Sequence, residues 1–436
     1  MPLNCDGYQH VIDGLREIFM TDFGRRKFLQ QAATVGGAAL LPTALRAADD
    51  GKLDVLIRGG DVIDPSQTLT GRYDIGVRWG KIAKVAPSIP ESAARQILDA
   101  SGKVVTPGLV DLHTHVYPLG SALGLPPDEL TPYTATTTYV SAGDAGANNF
   151  GALRHYVMAA AHSRMFAFVH ISRIGLAGFP VGEELDIDYL DVDAAAKCLA
   201  ENSDVALGIK VRISRNVVGE NGLEPLRRAI QAAELAGNGA RVMCHIGDAP
   251  GELSTLLDLL RPGDVLTHTY SGAGNNVVQH GKVLPAALEA KQRGVIIDVG
   301  HGGGSFDYTV AEPAIQQGLI PDTISSDIHA ISGNTPGQPY LPWVMSKFLN
   351  LGFGLDHVIS LTTANPAKVI NRVDKLGTLQ VGAPADVSIL ELVKEQVEFV
   401  DTKENYRSGN RWLKPVQAVC AGVPFGRPYP MPFNYR

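Results

Sequence analysis

The sequence predicts an α/β fold, namely a (β/α)8 TIM barrel with a small discontinuous β-sandwich domain built from both ends of the chain. Three observations lead to this prediction. Residues 108–371 alternate apolar strand-like runs with Ala- and Leu-rich helical stretches. The flanks, 49–107 and 372–436, contain short strand-like runs separated by turn residues. Polar residues, most of them histidines, follow several of the strand-like runs in the middle segment.

The composition is that of a compact enzyme. The chain has 436 residues, of which 45% are hydrophobic and 19% charged, with a net charge of −7. This acidic balance argues against a nucleic-acid partner, because a nucleic-acid surface needs clustered Lys and Arg. The 4 cysteines lack the CxxC spacing of thiolate zinc sites, so we expect small buried apolar side chains at Cys5, Cys198, Cys244 and Cys420.

Residues 1–48 are predicted to be an export leader. The pair Arg25-Arg26 precedes an apolar, small-residue run over 32–45, which resembles a twin-arginine signal. The run is shorter than the ~20 residues of a membrane-spanning helix, so we expect no permanent membrane anchor. The prediction is a periplasmic protein that the twin-arginine export machinery delivers. Translation is predicted to start at either Met1 or Met20.

The two flanks are predicted to form one domain. Strand-like runs cover 53–58, 62–65, 73–77 and 81–85, with Gly59-Gly60-Asp61 as a turn between the first two. The short connections predict a small antiparallel sheet. Residues 377–424 have the same character and no long amphipathic helix. Two β-rich ends around a longer middle therefore predict a discontinuous domain, 49–107 and 372–436.

The middle segment is predicted to hold the barrel. Its strand-like runs are 108–112, 137–141, 166–171, 206–211, 241–245, 264–267, 294–299 and 322–326. Helical stretches such as 224–236 and 253–260 lie between them, and this alternation predicts parallel strands that close into a ring. A doubly wound open sheet is the alternative. No glycine-rich nucleotide motif follows any of these strands.

Polar side chains end five of the predicted strands, where the chemistry of such barrels is located. His113 and His115 end the first, and their i, i+2 spacing puts both imidazoles on one face of an extended chain. Two nitrogens so placed can bind a single metal ion.

The other strand ends carry Lys210, His245, His268 and Asp327. Lys210 needs compensation, since an unpaired buried ammonium is costly, and a salt bridge is the simple alternative. Each of the two histidines alone is more often a hydrogen-bonded core residue than a ligand. Asp327 needs a metal or another cation beside it. Convergence of all of them at one end of a barrel favours a metal centre.

The order HxH, Lys, His, His, Asp resembles the binuclear branch of the amidohydrolase superfamily, which includes dihydroorotases, hydantoinases and D-aminoacylases. More narrowly, GIKVRIS at 208–214, VGENG at 218–222, DVGHG at 298–302 and VMSKF at 344–348 resemble the amidohydrolase/deacetylase metallohydrolase family. The resemblance covers nearly everything after residue 52. It implies hydrolysis of acetyl esters such as acetyl-(R)-mandelate, although members are often labelled dihydroorotase, and it implies the flanking β-sandwich.

The resemblance also implies a ligand set for two divalent metal ions, which we expect to be zinc. His113, His115 and Asp327 would bind one ion, and His245 and His268 the other. Lys210 would be carbamylated and would bridge both. A desolvated amine with a lowered pKa can capture carbon dioxide, which removes the difficulty of a buried lysine.

The expected reaction is attack of water on an acyl carbon. Two cations lower the pKa of a bound water towards ~7, and Asp327 serves as general base and then as general acid. Asp327 and Lys210 are therefore the predicted catalytic residues. The first hypothesis is an N-acyl deacetylase or acetyl-ester hydrolase.

Two other hypotheses remain open. One is opening of a cyclic amide by an enzyme of dihydroorotase or hydantoinase type, against which an export signal counts because pyrimidine synthesis is cytoplasmic. The other is a non-catalytic periplasmic binding protein, which loss of a ligand would have favoured; all of the predicted ligands are present.

The predicted substrate is a small molecule with a carboxylate. Candidates for binding this carboxylate or stabilising a developing oxyanion are Arg173, Arg212, His301 and His329. Arg212 could instead pair with a loop carboxylate. His329 stands where a tyrosine is expected in close relatives, and Tyr270 where cysteine is common. Both departures suggest a substrate that differs from those of the studied members. Assembly into a homo-oligomer is left open.

Overall fold

The computed structural model describes residues 51–372 and 375–426. The predicted leader over 1–48 lies outside the described residues, so the export signal stays a prediction. From Lys52 onwards the chain groups into one compact unit. Within the described residues, no helix has the length and apolar character needed to span a bilayer.

Strands and helices alternate along the middle segment, as the sequence predicts. The strands are β1 (Leu53–Asp64), β2 (Leu69–Arg78), β3 (Lys81–Ala86), β4 (Ala94–Asp99), β5 (Val104–Pro107), β6 (Leu109–Thr114), β7 (Thr136–Gly146), β8 (Arg164–His170), β9 (Ala206–Ile213), β10 (Arg241–Ile246), β11 (Val265–Thr267), β12 (Val278–Gln279), β13 (Lys282–Val283), β14 (Ile296–Ile297), β15 (Val387–Val393), β16 (Val397–Val400), β17 (Tyr406–Gly409), β18 (Trp412–Cys420) and β19 (Val423–Phe425). The α-helices are α1 (Pro127–Thr134), α2 (Phe150–Ala152), α3 (Val192–Glu201), α4 (Arg215–Val218), α5 (Glu224–Ala236), α6 (Leu253–Leu259), α7 (Pro285–Arg293), α8 (Tyr308–Gln316), α9 (Leu341–Asn350), α10 (Leu355–Ser360) and α11 (Ala364–Val369).

A parallel sheet forms the centre of the molecule. Its 7 strands follow the order β6-β7-β8-β9-β10-β11-β14, which is also their order along the chain. The helices between successive strands bury apolar faces. In α5, for example, Leu226, Ala229, Ala232 and Ala233 are buried at the spacing of one helix face. A curled parallel sheet of this kind fits the predicted TIM barrel.

The eighth predicted barrel strand, 322–326, differs from the prediction because it forms no regular ladder. Isolated parallel bridges instead join Asp298 to Thr323 and Thr114 to Ile328. The segment thus contacts both the β14 side and β6. Its hydroxyl side chains also bind buried carboxylates, as when Ser325 donates to Asp298. The backbone N–H groups of Val299, His301 and Asp327 also donate to the carbonyl oxygens of Thr323, Ser325 and His113. Backbone and side-chain hydrogen bonds together therefore hold the segment between its two neighbours.

Both ends of the chain share a second sheet of 8 strands, in the order β19-β18-β15-β5-β1-β2-β3 with β4 paired to β1. The antiparallel pair β5–β15 joins the two ends. Two expectations were wrong here. The sheet is mixed, because β1 pairs in parallel with both β4 and β5. The expected turn at Gly59-Gly60 is a register shift within the continuous strand β1. A Cβ on Gly60 would lie 2.3 Å from Cγ2 of Val105, so the glycine permits this close approach to β5.

Candidate metal centre

The histidines of the HxH motif lie at the end of β6 and face Asp327. Nε2 of His115 is 3.0 Å from Oδ1 of Asp327, and Nε2 of His113 is 3.4 Å from the same oxygen. The ligand atoms of the three residues all lie within 4.8 Å of one another, and all three are buried. The first predicted ligand set therefore occupies one site.

The remaining predicted ligands adjoin this group. Nζ of Lys210, at the middle of β9, lies 3.1 Å from Nε2 of His113. The ring centres of His113 and His268 are 4.9 Å apart, and those of His245 and His268 are 4.2 Å apart. All six predicted residues thus come together, although β9 continues past Lys210 to Ile213 and does not end at the lysine as predicted.

The outer ring nitrogens of three histidines have partners that fix the ring orientation. Nδ1 of His115 is 2.7 Å from Oδ1 of Asp144, and Nδ1 of His268 is 2.6 Å from the carbonyl oxygen of Gly300. A carbonyl oxygen only accepts, so Nδ1 of His268 carries the hydrogen and Nε2 carries the lone pair. Nδ1 of His113 is 2.8 Å from the hydroxyl of Thr267. Such partners orient metal-binding imidazoles.

Buried atoms without partners test whether a metal ion fits the site. Within the described residues, Nε2 of His268 is buried and makes no hydrogen bond. Oδ1 of Asp327 is also buried, and it faces the imidazole nitrogens of His113 and His115. Orphaned buried polar atoms are rare in folded proteins and call for an explanation. Imidazole nitrogen and carboxylate oxygen are donors that zinc accepts. The donor set therefore fits a divalent cation.

The electrostatics around His115 also favour a cation at this position. Burial by itself lowers the pKa of this imidazole, but the carboxylates of Asp144 and Asp327 outweigh it and raise the pKa to about 9. Two carboxylates on either side of one ring thus favour positive charge at this position.

Lys210 has the environment of an amine that is easily deprotonated. Its side chain is fully buried, and burial lowers its pKa to about 8. Lys210 forms no ion pair within 51–372 and 375–426, so the simple salt-bridge interpretation is not met there. The stem of Lys210 packs on Gly143, where a Cβ would lie 2.5 Å from Cγ of the lysine.

Two of the predicted ligands have unusual backbone conformations. His268 has φ 64° and Asp327 has φ 49°, both in the left-handed region. Non-glycine residues seldom adopt this region, and such conformations cluster at functional sites because they cost free energy. His268 directly follows β11, and Asp327 directly follows the segment 322–326.

A cavity of about 280 Å³ opens beside these residues. Part of its wall is the metal centre, part is apolar, and part is a glycine-rich loop after β14. The lining residues are His115, Leu123, Leu176, Phe179, Lys210, Arg212, His245, Gly303, Gly304, Ser305, Asp327, His329, Ile331 and Thr335. This is the size and mixed character of a small-molecule site.

The four predicted substrate-binding residues divide into two pairs. Arg212 and His329 line the cavity. Arg173 lies outside the lining and pairs with Asp191 at 3.5 Å. His301 is fully buried outside the lining, with Nε2 2.7 Å from Nζ of Lys347. The structure therefore brings only the first pair to the cavity.

A second buried group consists of His170, Glu183 and Glu184. The backbone N–H of Ser172 donates to Nδ1 of His170 at 3.0 Å, so the hydrogen of a neutral ring is on Nε2 and no lone pair is left there for a metal ion. Arg212 also donates to both oxygens of Glu183, at 3.0 and 3.1 Å. The loop-carboxylate pairing considered for Arg212 is therefore present, and this group supports the arginine.

Sequence reasoning missed the residues that support the predicted site residues. Asp144 near the end of β7, Thr267 and Asp298 stand behind the predicted ligands. Glu183 pairs with Arg212, and Lys347 lies beside His301. Asp144 could have been noticed, because it is a carboxylate at a barrel strand end like the others. Thr267 precedes a ligand histidine directly and gave no further signal in the sequence.

Comparisons with known proteins identify the family of this chain. The model of the Amidohydrolase family matches residues 104–423. A deacetylase of Agrobacterium fabrum is 36% identical over 342 residues, which cover 78% of this chain and 83% of the relative. A deacetylase of Enterococcus faecalis is 32% identical over 374 residues, 85% of this chain and 98% of the relative. A crystal structure of a dihydroorotase superimposes with a TM-score of 0.76 at 32% identity and covers 85% of this chain and 98% of that one. The chain belongs to the amidohydrolase family.

Proposed function

We propose that this protein is a binuclear metal-dependent deacetylase or acetyl-ester hydrolase that acts on a small carboxylate-bearing substrate. As a member of the amidohydrolase family it is a hydrolase. The observation that carries the proposal is the convergence of four imidazoles, one lysine and one aspartate beside a cavity. The relatives named deacetylase favour acyl transfer to water.

In this proposal His113, His115 and Asp327 hold one divalent ion, and His245 and His268 hold the other. Zinc suits this set of nitrogen and oxygen donors. When bound, the ions supply Lewis acidity, which makes water a stronger nucleophile and polarises the acyl carbonyl group. The protein contributes the rigid placement of the donors, through Asp144, Thr267 and Gly300.

Lys210 is proposed to be carbamylated. The neutral amine attacks carbon dioxide, an N–C bond forms, and one proton leaves. Burial supports this step because it lowers the pKa of Lys210 from 10.5 to about 8, so about a tenth of the amine is neutral near pH 7, far more than for an exposed lysine. The product is an anion, which suits a place between two cations better than an ammonium does.

Asp327 is proposed to take the proton from the attacking water and to return it to the leaving nitrogen or oxygen. Oδ1 of Asp327 is buried and lies 3.0 Å from Nε2 of His115, which places this carboxylate among the proposed metal ligands. Asp327 also lines the cavity, where the acyl carbon must lie.

The substrate is proposed to place its carboxylate near Arg212 and its apolar part against the opposite wall. Arg212 uses Nη1 for Glu183, and within the described residues its other guanidinium nitrogens make no hydrogen bond. Leu123, Leu176 and Phe179 supply the apolar wall. An N-acetyl amino acid or an acetylated hydroxy acid with an apolar side chain meets these requirements.

A substrate panel on zinc-loaded protein tests the proposal. N-acetyl amino acids, acetylated hydroxy acids and cyclic ureides are compared, with metal content measured in parallel. We expect turnover in one of the first two classes and a fall in kcat of about 10²- to 10⁴-fold for Asp327→Asn. Turnover of cyclic ureides alone identifies the second candidate, a cyclic amidase, which the dihydroorotase-like fold favours. Undiminished turnover in Asp327→Asn contradicts the assigned role. Metal binding without any turnover favours the binding-protein hypothesis.

We further propose that 1–48 form a twin-arginine leader for delivery to the periplasm, and that the mixed sheet of both chain ends is the flanking β-sandwich domain. The Arg25-Arg26 pair supports the first proposal. Cell fractionation of an Arg25→Lys, Arg26→Lys variant tests it, and unchanged periplasmic delivery rules it out.

A further inference from the structure

We propose that Asp298 is a positioning residue for the metal centre, and that it acts on His113 through the hydroxyl group of Thr267. By holding the hydrogen of His113 on Nδ1, this chain of hydrogen bonds keeps Nε2 free to bind a metal ion. The inference rests on the proposed metal centre and assigns a role to two residues outside its ligand set.

The geometry is a continuous chain of short hydrogen bonds. Nδ1 of His113 is 2.8 Å from Oγ1 of Thr267, and this hydroxyl donates to Oδ2 of Asp298 at 2.7 Å. All three side chains are fully or almost fully buried. Solvent therefore does not replace these contacts.

The direction of the bonds follows from the surroundings of Asp298. Thr323 donates its hydroxyl hydrogen to Oδ1 at 2.6 Å. Ser325 accepts from the backbone N–H of Gly300, so its own hydrogen goes to Oδ2 at 2.7 Å. A carboxylate at the centre of such donors only accepts.

The single hydrogen of Thr267 is thus committed to Asp298. Its oxygen faces His113 with a lone pair, and Nδ1 must be the donor in that contact. In a neutral imidazole, a hydrogen on Nδ1 leaves the lone pair on Nε2, which lies beside Lys210 and Asp327. This is the tautomer that a metal ligand needs.

Gly300 couples the same chain to a second ligand. A Cβ at this position would lie 2.3 Å from Oγ1 of Thr267 and 2.8 Å from Nδ1 of His268. The carbonyl oxygen of Gly300 is the acceptor for Nδ1 of His268. The segment after β14 therefore orients His113 through a carboxylate and His268 through its backbone, one ligand from each proposed metal ion.

The test measures zinc affinity by competition with a chromophoric chelator, together with zinc content per chain. Thr267→Val keeps the shape of the side chain but removes the hydroxyl, and we expect affinity to fall by about 10- to 100-fold. Thr267→Ser keeps the hydroxyl and should restore affinity to within about threefold of wild type. In Asp298→Asn the amide can donate to Thr267, which frees the threonine hydrogen to point at Nδ1. We expect a loss at least as large as in Thr267→Val, because the wrong tautomer is then favoured.

Thr323→Val is the matched control, since it also removes a hydroxyl bound to Asp298 but leaves the contact between Thr267 and His113. Thr323→Val should lower the melting temperature about as much as Thr267→Val does, and it should keep near-wild-type zinc affinity. Equal affinity losses in Thr267→Val and Thr323→Val, or unchanged affinity in Thr267→Val, overturn the positioning role while the metal centre stands. A wild-type protein that binds no zinc overturns the metal centre itself and this inference with it.

Discussion

Nζ of Lys210 lies 3.1 Å from Nε2 of His113, and both side chains are buried. An ammonium at this place could donate to the lone pair of Nε2, but it would have no ion pair among the described residues, and burial of its charge is costly. A neutral amine, or the proposed carbamate, avoids that cost. The buried lysine is thus understandable only together with the ligands around it.

Replacement of Lys210 by Ala should therefore reduce metal content. We expect fewer than two zinc ions per chain and a loss of turnover, because the proposed bridging oxygens are gone. A short-chain carboxylic acid such as propionate should restore part of the activity, since its carboxylate can occupy the space of the missing carbamate. Metal analysis and rates with and without the acid check this.

Lys197→Ala is a suitable control for that experiment, because Lys197 is 75% exposed and lies in α3. It should retain wild-type metal content and rate. Full metal occupancy and full activity in Lys210→Ala would contradict the bridging role.

Arg212→Met should raise KM for carboxylate-bearing substrates more than it lowers kcat. The reason is that a hydrogen bond to a charged group contributes about 1.5–3 kcal/mol, which corresponds to roughly 10- to 150-fold in KM. The KM for neutral methyl esters of the same substrates should change little. Steady-state kinetics on such substrate pairs measure the difference.

Arg215→Met removes a charge three residues further along, at the start of α4, where Arg215 pairs with Asp248 on the surface. It should leave both kinetic constants near those of wild type. If Arg212→Met raises KM equally for the methyl esters and for the free acids, the guanidinium group does not recognise the carboxylate.

Gly300→Ala should destabilise the fold. Its φ of 49° lies in the left-handed region, and the new Cβ would lie 2.3 Å from the Thr267 hydroxyl. Overpacking of this kind costs about 1–3 kcal/mol in the free energy of unfolding. Urea denaturation followed by circular dichroism measures it. Gly304→Ala is the control from the same loop, because nothing lies within 4 Å of a Cβ there, and it should be almost neutral. Equal stabilities for the two variants would refute the prediction.

Lys347→Met should lower stability in a pH-dependent way. The buried amine donates to the carbonyl oxygens of Gly337 and Val400, at 2.9 and 2.7 Å. Leaving a buried carbonyl without a donor costs about 1–3 kcal/mol. Burial lowers the pKa of Lys347 from 10.5 to about 7, so between these values the unfolded chain binds the proton and the folded chain does not.

Wild-type stability should therefore rise with pH within that window relative to Lys347→Met, because the cost of the buried charge is fully present below about pH 7 and fades above it. Denaturation curves of both proteins from about pH 7 to about pH 9 reveal the difference. A constant gap between the two proteins across this range would show that Lys347 does not titrate there.

The sequence by itself determined the alternation of strands and helices, and with it the positions of the predicted ligands. Apolar runs of strand length are local signals, and the period of two along a strand puts His113 and His115 on one face whatever the rest of the chain does. Strand ends in a parallel barrel meet at one edge, so the strand-end residues were predictable as a group. The predicted regular eighth strand was wrong: 322–326 is joined to its neighbours by isolated bridges and by hydrogen bonds from both backbone and side chains.

Only the tertiary structure decided which residues support the predicted site residues. Thr267 is 154 positions from His113, and Lys347 is 46 positions from His301. No local pattern links such pairs, because a hydrogen bond depends on a few tenths of an ångström in the packing of separate strands. For the same reason the structure, and not the sequence, separated Arg212 and His329 at the cavity from Arg173 and His301 outside it.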